Sequence, residues 1–197
     1  MIPQRWLWPG LAALLCLLAA LGTHIEQTHI DWQPSLALTE PWRALTAVAV
    51  HYSSLHLTAN LAGAALVAAL GFAARVPTSS TLAWAAAWPL TQIGLLLKPE
   101  LLHYGGLSGV LHAGVAVVAV HLIAAGTSSQ RWVGGALLIG VCAKVLNESP
   151  WGPALRHPPG WDIAVAPLAH ATGLIAGVAC ALVAEFIRRR AARRTSS

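Results

Sequence analysis

Residues 105–112 read Gly-Gly-Leu-Ser-Gly-Val-Leu-His, and Ser108 stands between glycines at the mouth of a long apolar run. Glycine on either side lets other groups approach the hydroxyl closely. A serine hydroxyl is a poor nucleophile until a base takes its proton. The base this sequence offers is His170, itself inside an apolar run. Gly173 and Gly177 share its helical face at i+3 and i+7. Small residues on that face allow a neighbouring helix to pack tightly, which would bring His170 within hydrogen-bond reach of a serine on another span. The pair reads as a dyad, because the acid near His170 in sequence is Asp162, two turns away. Acyl transfer also needs donors aimed at the developing oxyanion. His56 and Asn60, four residues apart on one helix face, supply them together with the backbone N–H groups of Leu107 and Ser108. His112, one turn after Ser108, points the same way and is placed to stack beside His170.

Plainer readings of the same residues compete. A serine inside a span commonly bonds its own i−4 carbonyl, and Gly-x-Ser-Gly alone carries little information. His56, His112 and His170 would equally suit a haem or a metal. No His-Glu-x-x-His pattern is present. Cys16, Cys142 and Cys180 lie in apolar runs without paired spacing, so they are packing residues and neither a disulfide framework nor a metal site. The serine-nucleophile reading itself expects no cofactor or metal. His24, His29, His103, His121 and His157 belong to loops or interfaces and suggest no role. The Asn147-Glu148-Ser149 sequon is followed by proline and is discounted.

Positioning these groups falls to membrane helices. Apolar residues make up 56% of the 197 and charged residues 10%, far below the quarter usual in soluble domains. A single domain over 1–197 is expected. The net charge of +5 does not point to nucleic acid, since five of the twelve basic residues crowd into the tail at 188–197. Six apolar runs are expected as spans, at 6–21, 53–74, 82–97, 107–125, 132–146 and 163–187. The first, within 1–22, follows Arg5 like a signal peptide, but its length and Trp6 and Trp8 favour a retained helix. The connection at 23–50 is long enough to need a job of its own, and Trp32 and Trp42 suggest that it lies along the membrane surface. With six spans, eight of the twelve basic residues fall on the side of the termini, while six of the seven acids fall on the other. Positive-inside bias then places both termini in the cytoplasm and His56, Ser108 and His170 at the outer end of their spans.

Together these motifs resemble the rhomboid intramembrane serine proteases. Residues 40–46, Glu-Pro-Trp-Arg-Ala-Leu-Thr, look like that family's Trp-Arg segment. His51, His56 and Asn60 keep its His-x4-His-x3-Asn spacing, Gly106-Leu107-Ser108-Gly109 its nucleophile motif, and Ala169-His170 with Gly173 and Gly177 its Ala-His-x-x-Gly motif. The resemblance implies a six-helix all-α membrane bundle with Ser108 as nucleophile and His170 as general base. It assigns oxyanion stabilisation to His56, Asn60 and the serine N–H, and a structural place near the water-access region to His51. Residues 23–50 would be a membrane-embedded first loop. The outer fifth span with the loop at 147–162 would be the substrate gate. Two features depart from the common pattern: His112 stands where a tyrosine is usual, and the second span lacks a glutamate further along. His112, Lys144-Val-Leu-Asn-Glu148 and the Gly-Pro loop look like the rhombosortase branch. That branch implies a bacterial inner membrane with the site facing outward. Its substrates would be secreted or surface proteins bearing a C-terminal Gly-Gly, apolar helix and basic tail.

Overall fold

The computed structural model describes residues 3–195, so the first two residues of the 1–22 segment and the last two of the 188–197 tail lie outside the described residues. Six helices of 16 residues or more dominate: α1 (Leu7–Gly22), α2 (Ser54–Ala73), α3 (Thr78–Ile93), α4 (Ser108–Ala125), α5 (Ser128–Asn147) and α6 (Pro167–Thr195). No strand occurs among the described residues. Four of the six helices are long and apolar enough to cross a membrane: α1 with its leading turn, α2, α4 and α6. The other two fall short for separate reasons. α3 has 16 residues, about 24 Å at helical rise. α5 is long enough but carries Arg131 and Lys144.

Helix starts differ from the apolar runs wherever a cap or proline sets them. α2 begins behind Ser53, whose hydroxyl accepts from the His56 N–H at 3.0 Å. α3 begins after Pro77, four residues ahead of its apolar run. α5 starts with a capping box between Thr127 and Gln130, and α6 starts at Pro167 itself.

α4 is the central helix, buried on nearly every face. It crosses α6 at very short range: a β-carbon on Gly173 would lie 2.0 Å from the Gly109 carbonyl oxygen, and one on Gly177 would lie 2.5 Å from that of Ala113. Without a hydrophobic driving force inside a bilayer, such close backbone packing is what holds helices together. It also fixes the distance between the residues at the start of the two helices. α1 is built into the same core. Trp8, Ala12, Leu15 and Ala19 are buried, and the Trp8 indole donates to the Val67 carbonyl at 2.9 Å. Trp6 rests against Phe72, and the Arg189 guanidinium donates to Ala124. Both chain ends thus lie at the C-terminal ends of α2 and α4, opposite Ser108.

The loop at 23–50 folds back onto the segment that delivers Ser108. Trp32 and Tyr104 exchange backbone hydrogen bonds of 2.7 and 2.9 Å, and the Gly106 N–H donates to Ala47. Trp32 is therefore not a surface anchor. It is 1% exposed and packs with Tyr104 and Leu95, whereas Trp42 is exposed. Arg43 is the hub of this loop. Its guanidinium donates to the Thr28 and Asp31 carbonyls, pairs with the Asp31 carboxylate at 3.1 Å and reaches Glu40. Arg43 and Asp31 side chains are 7% and 2% exposed, so removing the cation leaves a buried carboxylate held only by Gln33 Nε2 at 2.9 Å and His103 Nδ1 at 2.6 Å. Arg43→Ala is expected to cost about 3 kcal/mol, read as a lower unfolding midpoint in micelles and faster proteolysis within 23–50.

Candidate active site

The three apolar-run histidines, Asn60 and Ser108 do come together, at one end of the bundle. Ser108 opens α4, so its backbone N–H and that of Leu107 before it have no acceptor within the helix. Its hydroxyl does not fall back on a carbonyl of its own chain segment. Ser108 Oγ lies 2.9 Å from His170 Nε2, across the α4–α6 crossing. His112 stacks face to face on His170, with ring centroids 4.2 Å apart and planes 15° from parallel. Its Nδ1 donates to the Ser108 carbonyl at 2.6 Å.

His56 and Asn60 converge on the turn just before Ser108. Gly106 has φ +127°, a backbone region open to glycine, and a β-carbon there would lie 2.7 Å from His56 Nε2 and 3.7 Å from Asn60 Nδ2. Only glycine lets the His56 ring come this close to the turn before the serine, while Asn60 sits beside it at ordinary van der Waals range. The Tyr52 N–H donates to His56 Nδ1 at 3.4 Å, which leaves Nε2 as the N–H of the neutral ring, on the Gly106 side. Asn60 is 4% exposed, and its Nδ2 is among the buried polar atoms without a hydrogen-bond partner. A buried amide donor with nothing to donate to is costly. It becomes intelligible if an acceptor arrives during the reaction. His51 backs the group, its ring centroid 4.8 Å from that of His56. Burial holds the His51 imidazole below its ordinary value, a shift partly opposed by the hydrogen bond to Ala49. Gly109 keeps its place through contact with α6, since a β-carbon there would lie 2.7 Å from the Ala169 carbonyl.

One residue was not among the sequence-based site residues. Glu148, just past the end of α5, places Oε2 2.5 Å from His170 Nδ1 and Oε1 2.6 Å from Lys144 Nζ. The expectation of a histidine without a carboxylate partner is thus corrected. Asp162 is engaged elsewhere, accepting from Ser53 Oγ at 2.8 Å. Burial works against ionisation of Glu148, but its hydrogen bonds and charge pairing with His170 and Lys144 prevail and hold it down at about 2. Because this lies below the ordinary 4.5, the pairing stabilises the fold at neutral pH and is lost as pH falls from 4.5 through 2. The signal that would have found Glu148 is its level: it ends a span on the same side as His56, Ser108 and His170.

A cavity of about 1020 Å³ opens between α2 and α5 with α4 as its floor. Ser108, His56, Asn60, His170 and Glu148 line one end, and Leu70 and Val133 mark the other, near the opposite end of the bundle. Its wall includes Gly63 and Gly140 and is otherwise largely apolar. The geometry fits the haem reading poorly. Both ring nitrogens of His170 are hydrogen-bonded, and His112 lies parallel against its face, so the two cannot take opposite sides of one iron. Among the described residues no group of three or more His, Cys, Asp or Glu could hold a metal ion. Comparison of the chain with protein-family models and with curated proteins finds no match in either.

Proposed function

We propose that this chain is a membrane-embedded serine protease of rhomboid type. The observation that carries the reading is Ser108 Oγ at 2.9 Å from His170 Nε2, at a cavity that Asn60 also lines. Ser108 attacks a peptide carbonyl while His170 takes its proton. The oxyanion is met by His56 Nε2–H, Asn60 Nδ2–H and the backbone N–H groups at Leu107 and Ser108. His170 then protonates the departing amine. Water, or an amine in its place, resolves the acyl-enzyme.

All six helices are spans in this reading. α3 gains from the 3₁₀ turn Gly94–Leu97, which adds about 8 Å to its 24 Å and brings it level with a 30 Å hydrocarbon core. The arginine-rich end, with both termini, is cytoplasmic, and the Ser108 end faces outward across a bacterial inner membrane. The α2–α5 cavity is long and largely apolar, with Gly63 and Gly140 set among leucine and valine side chains, as suits an apolar tail helix lying beside Ser108. Substrates are accordingly secreted or surface proteins with a C-terminal Gly-Gly, apolar helix and basic tail, and no cofactor or nucleic acid takes part.

Labelling by a fluorophosphonate probe tests this most directly. The purified chain in micelles is expected to take up one probe at Ser108, and Ser108→Ala to take up none. Equal labelling of the two, or none of a folded wild type, would sink the proposal.

A further inference from the structure

Glu148 is half-buried at the end of α5, four residues after Lys144, with a loop of four prolines following. That placement leaves its carboxylate between two partners on different helices. Oε1 meets Lys144 from its own helix, and Oε2 meets His170 from α6. The Arg156 guanidinium adds a hydrogen bond of 2.8 Å to the Glu148 carbonyl, so the loop helps to hold the residue in place. An ionised carboxylate only accepts. His170 Nδ1 must therefore carry the proton in this contact, which leaves the Nε2 lone pair toward the Ser108 hydroxyl. The other tautomer would present an N–H to that hydroxyl and could not take its proton.

We propose that Glu148 is a positioning residue that holds His170 in the reactive tautomer and stabilises its cation during the reaction, so that the site works as a Ser-His-Glu triad. The inference rests on the serine-protease reading and adds to it a residue that a dyad does not need. In the acylation step the Ser108 Oγ–H bond breaks and its proton passes to Nε2. A bond forms from Oγ to the carbonyl carbon, and the carbonyl π pair moves onto oxygen. The imidazolium so formed has its Nδ1–H on a carboxylate that is already negative, so charge is compensated where it appears. The proton then leaves Nε2 for the amine nitrogen as the C–N bond breaks, and His170 returns to its starting form.

The charged and titratable groups around His170 are Glu148 just past α5, Lys144 of α5, His112 of α4 and His56 of α2. Of these, Glu148 alone favours the imidazolium through direct contact. Replacing its charge should therefore move the acid limb of the rate profile to lower pH, because a carboxylate beside an imidazole stabilises the protonated ring. A merely structural role would slow the reaction without moving that limb.

The test is the rate of fluorophosphonate labelling by the full chain in micelles, followed across pH. Glu148→Gln is expected to slow labelling about 100-fold at neutral pH and to shift the acid limb downward, a smaller loss than for an acid fully shielded from water. Glu148→Asp keeps the charge at a longer reach and is expected to recover about tenfold of that loss with the limb unmoved. Wild-type rates in Glu148→Gln, or a slowed rate with an unmoved limb, would overturn the triad while leaving the serine-protease reading standing. If Glu148→Gln does not fold, the tautomer of His170 in the folded wild type, read from its imidazole nitrogen shifts, decides: a proton on Nδ1 supports the proposal, and a proton on Nε2 overturns it. A folded wild type that never labels removes the underlying reading, and this inference with it.

Discussion

Ser108→Ala is expected to lower tail cleavage by about 10⁴- to 10⁶-fold, and His170→Ala to fall in the same range. The informative variant is the double one. In the serine-protease reading nucleophile and base act as a unit, so once Ser108 is gone His170 would have no proton to take, and removing it would cost almost nothing more. If the two single losses multiply instead, the residues serve separate steps and the 2.9 Å contact between them is incidental. Co-expression with a Gly-Gly-tailed membrane substrate, followed by quantifying tail release, provides the measurement. Ser108→Ala should not harm the fold, whereas His170→Ala also gives up the pairing with Glu148 and the stack on His112, so its unfolding midpoint is expected to fall. Serine is small and opens α4 where alanine is equally at home, and its hydroxyl bonds a side chain and not the helix backbone. A collapse in the activity of Ser108→Ala with an unchanged unfolding midpoint therefore assigns the loss to chemistry.

What the sequence made visible was mostly a matter of levels along the axis of the helix bundle. Once the apolar runs alternate in direction, His56, Asn60, Ser108 and His170 fall at one end, and the structure brings those four together. The stacking of His112 on His170 followed from one helical turn and a shared direction. The contact of Glu148 with His170 did not, because it is made between the end of α5 and the start of α6, joined by a proline-rich loop whose path no local pattern dictates. Trp32 misled for a related reason. A tryptophan in a polar loop looks interfacial, but the antiparallel bridge to Tyr104 carries it into the interior. Helix starts at Thr78 and Pro167 were set by proline, not by hydropathy, and so lay off the ends of the apolar runs. The long loop at 23–50 was recognisable as purposeful from its length. Its purpose needed coordinates: Arg43 gathers it, and Ala47 and Trp32 then hold the 104–106 turn that presents Ser108.

Asn60→Leu should separate activity from stability in opposite directions. The Asn60 amide nitrogen is buried and without a partner in the resting site. Removing it therefore breaks no hydrogen bond there, and exchanging an unsatisfied polar group for an apolar one of similar volume is neutral or stabilising, by up to about 1–3 kcal/mol. The same change deprives the oxyanion of a donor just when charge builds on oxygen, and losing one such donor lowers kcat about 10²- to 10³-fold. KM should move little, because the ground-state carbonyl carries far less charge than the intermediate. The combined outcome expected is an unfolding midpoint at or above that of the wild type, a large drop in kcat, and Ser108 still labelled by the fluorophosphonate at full stoichiometry but more slowly. A drop in stability would mean that Asn60 already has a partner in the resting protein and serves the core. An unchanged kcat would move the oxyanion away from α2 and leave His56 and Asn60 without a catalytic part. The prediction turns on a cost that a purely structural residue would have no reason to carry: a donor kept dry and unpaired, within reach of the turn that holds the nucleophile.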